Sequence, residues 1–208
     1  MRVPNAVHEA HPWVIREVAP DFRLLDVWAL PVEGERDEFG RVLDVGLRSF
    51  DPAGTGGAAR ALFAVRDRIG AVLGWDDAKP RPIPGCRETT LRERLPAHLA
   101  GSADGAKLGD SGFTPLYRTA DEWAAEISNA TVHGVLHLTW VDRGDGRHRA
   151  HLAVYVLPRG RLGAAYLKAI EPFRHYVVYP ALLKHVGAVW AARERGVTPR
   201  AEGASEQS

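Results

Sequence analysis

Two alternating segments in the second half of the chain most strongly limit how it can fold. TVHGVLHLTWV (131–141) and RHRAHLAVYVL (147–157) have the period of two that is typical of strands, and the DRGDG segment between them has hairpin-turn chemistry. Two further strand-like segments precede them, FTPLYRT (113–119) and EWAAEISN (122–129). Because the connections are short, the four segments predict an antiparallel meander.

The segments on either side of the meander predict one more strand and several helices. FRLLDVWALPV (22–32) favours a strand near a sheet edge, because Pro31 cannot donate to a ladder. Residues 36–50 and 56–75 have apolar positions at helical spacing. Residues 160–191 predict a long final helix that Pro172 and Pro180 kink or split.

This order of elements predicts an α+β protein with a helix-grip, START-like fold. In that fold a curved antiparallel sheet wraps around the C-terminal helix, and two helices follow the first strand. A cavity is expected between sheet and helix. The length of 208 residues suits a single domain over residues 1–193, followed by a disordered polar tail over residues 194–208.

The composition excludes several partners. Lys plus Arg number 27 and Asp plus Glu number 26, so neither nucleic acid nor a membrane surface is expected as a partner. The N-terminus lacks a secretory pattern, and a single cysteine, Cys86, fits a reducing compartment, so we expect a cytoplasmic protein. The glycine-rich segment DPAGTGGAAR (51–60) matches neither a phosphate-binding loop nor a dinucleotide fingerprint, and no cofactor is expected.

Three segments together resemble a known family. FRLLDVWALP, FTPLYRTADEWAAEISNATVHGVLHLTWV and GAAYLKAIEPFRHYVVYPAL are similar to domain of unknown function 2867, and the similarity covers nearly the whole chain. The resemblance implies kinship with the helix-grip superfamily of birch-pollen allergens, steroid-carrier domains and polyketide cyclases. Some members are fused behind a reductase domain. No catalytic residue is implied, because the family has no settled activity.

Alternation places four candidate catalytic residues on one face of the hairpin, namely His133, His137, His151 and Tyr155. The favoured interpretation is that this face meets solvent while the Leu/Trp/Val face lines the core. A second interpretation puts these side chains at the cavity, where imidazoles could transfer protons. A metal site is the weakest interpretation, since His133 and His137 lie about 13 Å apart along an extended strand.

The strand before the hairpin supplies two candidate acids. Glu122 and Glu126 lie on one side of their strand and could supply carboxylates to the histidines. Solvated charge near a sheet edge is the favoured interpretation.

The final helix supplies most of the candidate ligand-binding residues. Tyr176 and Tyr179 are expected to share a face, with ordinary packing favoured over a hydrogen bond to a ligand, although Tyr179 is retained as a candidate catalytic donor. Arg174 could bind a ligand carboxylate, but a surface ion pair with Glu171 is the commoner arrangement. The candidate ligand-binding residues are Trp140, Tyr166, Ile170, Phe173, Arg174, Tyr176 and Val177.

Three functional hypotheses follow. The leading one is binding of a small apolar or aromatic molecule in the cavity. The second is a cofactor-independent cyclase, isomerase or lyase that uses histidine and tyrosine as acid and base. The third is a non-catalytic interaction module that meets a reductase partner, and a homodimer is also a candidate assembly.

Overall fold

The strand-like segments pair into one six-stranded antiparallel sheet in the computed structural model, which describes residues 1–49, 81–103 and 112–195. The order across the sheet is β1-β2-β6-β5-β4-β3. The strands are β1 (Arg2–Val3), β2 (Arg23–Gly34), β3 (Thr114–Arg118), β4 (Glu122–Ser128), β5 (Val132–Asp142) and β6 (His148–Pro158). The predicted four-strand meander is therefore confirmed as β3 to β6.

The β5–β6 turn sets the register of the central hairpin. Arg143 N–H donates to the Arg147 carbonyl over 2.9 Å, which leaves a three-residue loop. Gly144 and Gly146 in that loop both have a φ of 81°, a conformation that favours glycine. The resulting register pairs His137 with Ala153 and Thr139 with His151, so His137 and His151 are diagonal neighbours.

Strand β2 pairs with β6 on one side and with the short β1 on the other, so it lies one strand from the sheet edge as predicted. Its pairing with β6 shifts register between Leu24 and Asp26 and again between Ala29 and Glu33. The second irregularity contains Pro31, which has no N–H to donate to the ladder.

Helices precede and follow the sheet strands. The first are α1 (Asn5–Glu9), α2 (Ile15–Val18) and α3 (Phe39–Ser49), and a capping box between Glu35 and Glu38 opens the turn before α3. Short 3-10 turns lie at Leu91–Arg94 and Ala97–Leu99. The second predicted helix, over residues 56–75, and residues 196–208 of the predicted tail lie outside the described residues.

The C-terminal helix is long and is interrupted in the middle. It consists of α4 (Gly160–Phe173), a π-helical turn (Arg174–Val178) and α5 (Tyr179–Glu194). Pro172 and Pro180 flank the π turn, and each lacks the N–H of a normal helical hydrogen bond, so the predicted interruption by prolines is confirmed. Within the described residues, no helix is both long and apolar enough to cross a membrane.

Both faces of the sheet are covered. The C-terminal helix packs on the face that carries Leu138, Leu152 and Val156, which we call the helix face. The opposite face carries His133, Val135 and His137, and we call it the histidine face. It is covered by the N-terminal segment and by the loop after residue 80, through the buried residues Ile15, Val18, Phe22, Ile83, Leu91 and Leu99. The fold is therefore α+β, and the expectation that the histidine face meets solvent is wrong.

Candidate functional site

A cavity of about 300 Å³ lies between the helix face of the sheet and the C-terminal helix. Strands β5 and β6 supply Leu136, Val154 and Val156 to its wall, because every second residue of a strand points to the same side. The helix supplies Tyr166, Ile170, Phe173, Arg174 and Tyr179, all of which the sequence analysis selected. The cavity therefore unites five of the predicted site residues.

Three predicted ligand-binding residues lie away from this wall. Tyr176 is 82% exposed and Val177 is 47% exposed, whereas Tyr179 is only 5% exposed. The π turn changes the helical phase after Phe173, so Tyr176 and Tyr179 do not share a buried face as expected. Trp140 packs against Phe39 and donates its indole N–H to the Glu35 carbonyl over 3.0 Å.

A buried polar cluster built around Asp26 of β2 includes two residues of the cavity wall, Arg174 and Tyr179. The Asp26 carboxylate is 1% exposed and accepts hydrogen bonds from Arg174 Nη2 at 2.8 Å and from the Tyr179 hydroxyl at 3.2 Å. His175 Nε2 lies 2.6 Å from the other carboxylate oxygen. Arg174 therefore pairs with the buried Asp26 and not, as expected, with Glu171 at the surface.

The sequence analysis did not select Asp26, although a signal was present. Asp26 is the only acidic residue within the otherwise apolar FRLLDVWALPV segment. A charge inside a strand that is covered on both faces must be paired, because an isolated buried ion is unfavourable. The pairing partners lie about 150 residues later in the sequence, at separations of 148, 149 and 153.

Tyr179 is held as a neutral hydrogen-bond donor. Burial raises the pKa of its hydroxyl well above the usual range, and the adjacent Asp26 charge adds to the effect. Trp28 stacks on the tyrosine ring, with centroids 4.6 Å apart and an interplanar angle of 27°. The Tyr179 ring is therefore held against Trp28 of the sheet, and its hydroxyl donates to Asp26.

The three predicted histidines lie on the opposite face of the sheet, and two of them, His133 and His137, contact the two glutamates of β4. His133 Nε2 is 2.7 Å from Glu126 Oε2, and both residues are buried. The same carboxylate accepts the Leu91 N–H over 2.9 Å and a hydrogen bond from the Thr90 hydroxyl. This glutamate thus joins the sheet to the first turn of the Leu91–Arg94 element.

The pair formed by His137 and Glu122 joins the sheet to the N-terminal segment. His137 Nε2 lies 2.8 Å from Glu122 Oε2, which also accepts the Tyr117 hydroxyl over 2.9 Å. Glu122 Oε1 accepts the Val14 N–H over 3.0 Å, and His137 Nδ1 lies 3.3 Å from His8 Nε2. The expectation that Glu122 and Glu126 are solvated charges is wrong, because both are at least 95% buried, with exposures of 4% and 5%.

Burial shifts the pKa values of the titratable groups near the His137–Glu122 pair. Burial, with a smaller contribution from the neighbouring His137, lowers the pKa of His8 to about 3, so His8 is neutral at pH 7. Burial also lowers the pKa of His151 to about 4. Burial alone would raise the pKa of Glu122, but the hydrogen bonds from His137, Val14 and Tyr117 lower it overall.

Tyr155 also lies on the histidine face, and burial raises the pKa of its hydroxyl above the usual range. The Tyr155 hydroxyl and His133 Nδ1 are buried without a hydrogen-bond partner among the described residues. Because side chains on opposite faces of a sheet diverge, neither group reaches a molecule in the cavity. In the described part of the chain, no cluster of three or more His, Cys, Asp or Glu side chains could hold a metal ion.

Comparison with known proteins identifies the family and adds no closer relative. The chain matches none of the curated proteins and none of the solved structures with which it was compared. One family model matches residues 18–181, which include the sheet from β2 to β6, Asp26 and all of the described cavity wall except Leu182. The chain therefore belongs to the family described as protein of unknown function (DUF2867).

Proposed function

We propose that the protein binds a small apolar or aromatic molecule in the cavity between the sheet and the C-terminal helix. The observation that carries the proposal is a space of about 300 Å³ with an almost wholly apolar surface, whose described lining has only four residues with polar side-chain groups, namely Asn129, Tyr166, Arg174 and Tyr179. Apolar walls with a few polar groups are typical of ligand sites.

The volume of the cavity falls within the range of ligand sites. A space of about 300 Å³ lies at the small end of ligand pockets, which span roughly 300–1,000 Å³. A molecule of two or three aromatic rings, or a short chain, fits this volume better than a sterol does.

The order of elements supports a helix-grip fold as the source of the cavity. The first long strand, β2, pairs with the last strand, β6, and the C-terminal helix follows β6 and packs on the same sheet. In this arrangement the C-terminal helix and the sheet form the two walls of the cavity in which we propose that the ligand binds.

The positions of the predicted catalytic residues favour binding over catalysis at this cavity. His133, His137, His151 and Tyr155 lie on the histidine face, so the proposed proton carriers and the proposed ligand are on opposite sides of the sheet. Tyr179 is the one candidate catalytic residue in the cavity wall. Assembly with a reductase partner or with a second copy stays a prediction.

Titration with N-phenyl-1-naphthylamine, a neutral apolar fluorophore, tests the proposal. We expect saturable fluorescence enhancement with the natural chain and at least about a tenfold weaker affinity with Val154→Phe, because the added ring occupies the cavity. Leu162→Phe is the matched control, since Leu162 is 83% exposed on α4 and lies outside the cavity wall. Absence of saturable binding, or equal affinity for all three proteins, would contradict the proposal.

A further inference from the structure

The sheet wall of the cavity contains a position without a side chain. Gly134 of β5 is buried on the helix face of the sheet and lines the cavity. It pairs with Ile127 of β4 on one side and with Val156 of β6 on the other, and both of these residues also line the cavity. Val132 and Leu136, two positions away along β5, point to the same side. Gly134 therefore leaves a recess among four larger apolar side chains.

Neither the backbone conformation nor the packing of the strand requires glycine at this position. The φ of Gly134 is not positive, so an L residue can adopt the same conformation. Apart from its chain neighbours, the described atoms that a Cβ would meet are Ile127 Cγ2 at 3.4 Å and the Tyr155 carbonyl oxygen at 3.8 Å. Gly163 differs, because a Cβ there would lie 2.1 Å from the Thr131 carbonyl oxygen. Among the described residues, close packing therefore explains Gly163 but not Gly134.

The C-terminal helix packs beside Gly134 and not on it. Val132 and Val156 belong to one buried apolar cluster with Leu167 of α4. None of the described atoms of that helix, however, lies within 4 Å of the position that a Cβ of Gly134 would occupy. A glycine inside a strand weakens the strand, and it often marks a bulge or the close approach of a ligand or of another backbone. The pairing of β5 with β4 and β6 has no register shift, so a ligand is the reason that fits Gly134 best.

We infer that the apolar body of the ligand enters the recess at Gly134 and lies against the sheet backbone, so that this glycine sets the largest molecule that the cavity accepts. This inference rests on the proposed function. A side chain at position 134 would project into the cavity of about 300 Å³, because this position of β5 faces the helix. A larger residue there should therefore exclude a three-ring ligand and still admit a two-ring ligand.

Equilibrium dialysis with two related neutral probes tests the inference. N-Phenyl-1-naphthylamine has three rings, and 1-naphthylamine is the same molecule without the phenyl group. We expect Gly134→Val to bind the three-ring probe at least about tenfold more weakly than the natural chain does, and the two-ring probe within about threefold of the natural affinity. Gly134→Ala should show a smaller loss for the three-ring probe. Gly46→Ala is the matched control and should bind both probes as the natural chain does, because Gly46 lies on α3 outside the described cavity wall.

Thermal unfolding distinguishes a ligand recess from a packing requirement. Gly134→Ala should melt at or above the temperature of the natural chain, because alanine loses less conformational entropy on folding and its Cβ would make only ordinary contacts. A melting temperature lower by more than about 5 °C would show that the fold itself needs the glycine, and this result would overturn the inference.

The binding results separate this inference from the proposed function. Unchanged affinity of Gly134→Val for N-phenyl-1-naphthylamine would overturn the role of Gly134 and leave the cavity as a ligand site. An equal loss of affinity for both probes would also overturn it, because the effect would then not depend on ligand size. Binding of neither probe by the natural chain would overturn the proposed function together with the inference. If Gly134→Val does not fold, the loss expected for Gly134→Ala decides the question.

Discussion

Glu126 of β4 and His133 of β5 form a buried pair in which a carboxylate oxygen lies 2.7 Å from the imidazole Nε2. The same carboxylate accepts the Leu91 N–H, so one side chain connects two strands and the segment that covers them. Its neighbour pair, Glu122 and His137, connects the sheet to Val14 in the same way. The histidine face is thus a structural layer that holds the covering segments on the sheet.

Glu126→Ala should destabilise the fold strongly. The substitution leaves the Leu91 N–H and His133 buried without their acceptor, and removing one partner of a buried pair costs about 3–5 kcal/mol. Urea unfolding measures the change in the free energy of unfolding. The exposed Glu17 supplies a control, because Glu17→Ala should change that free energy by no more than about 0.5 kcal/mol. Similar small effects of both substitutions would show that the pair is not structural.

Stability should fall as the pH falls below about 6.5. The pKa of His8 is lowered from 6.5 to about 3 by burial, so between these values the unfolded chain binds a proton that the folded chain does not. The lowered pKa of Glu122 acts in the same direction at more acidic pH, because its protonation is also easier in the unfolded chain. His8 alone should remove about 2 kcal/mol of stability between pH 7 and pH 5.

His8→Gln tests that pH dependence, because glutamine keeps a polar side chain at the position and does not titrate. The variant should lose about 2 kcal/mol less stability than the natural chain between pH 7 and pH 5. His98→Gln, at an exposed position, is the control and should behave as the natural chain does. Parallel pH profiles for the natural chain and His8→Gln would exclude His8 as the source.

Asp26→Asn should loosen the C-terminal helix from the sheet. Arg174 would then keep its charge in the interior without a counterion, and we expect a loss of about 3 kcal/mol or more in the free energy of unfolding. Asp21→Asn breaks a partly exposed pair with Arg94 and should cost no more than about 1 kcal/mol. Equal losses in the two variants would mean that the buried cluster does not anchor the helix.

Replacement by alanine should change the stability of the fold in opposite directions at two helical glycines. A Cβ at Gly163 would lie 2.1 Å from the Thr131 carbonyl oxygen, so Gly163→Ala must push α4 away from the β4–β5 turn and destabilise the fold. Among the described residues, a Cβ at Gly46 of α3 would meet only Leu138, at 3.8 Å, and Gly46→Ala should stabilise the fold by up to about 1 kcal/mol. Melting temperatures of the two variants check the prediction, and a stabilised Gly163→Ala would contradict the close approach of α4.

Local patterns predicted the meander and the final helix well. The alternation of β5 and β6, the glycines of their turn and the prolines of the C-terminal helix are all features of short segments. Tyr166, Ile170 and Phe173 were placed in the cavity wall because the helical spacing holds up to the π turn. The prediction failed at Tyr176 and Val177, which lie in the π turn where the helical phase changes.

The environment of the charged residues could not be predicted from local patterns. His137 contacts His8 across 129 positions of sequence, and no short-range pattern shows that the N-terminal segment covers the sheet. Alternation separates the two faces of a strand but does not say which face is buried. The four-residue spacing of Glu122 and Glu126 equals that of His133 and His137 on the paired strand. This equal spacing was the one feature of the sequence that indicated two glutamate–histidine pairs.

Methyl-resolved nuclear magnetic resonance with N-phenyl-1-naphthylamine tests the location of the proposed site most directly. The account predicts saturable shifts at methyl groups of the cavity wall, such as those of Leu136, Val154 and Ile170, and none on the opposite side of the sheet, at Ile15, Val18 and Ile83. Shifts concentrated on the histidine face, or no saturable shifts at the cavity wall, would contradict it.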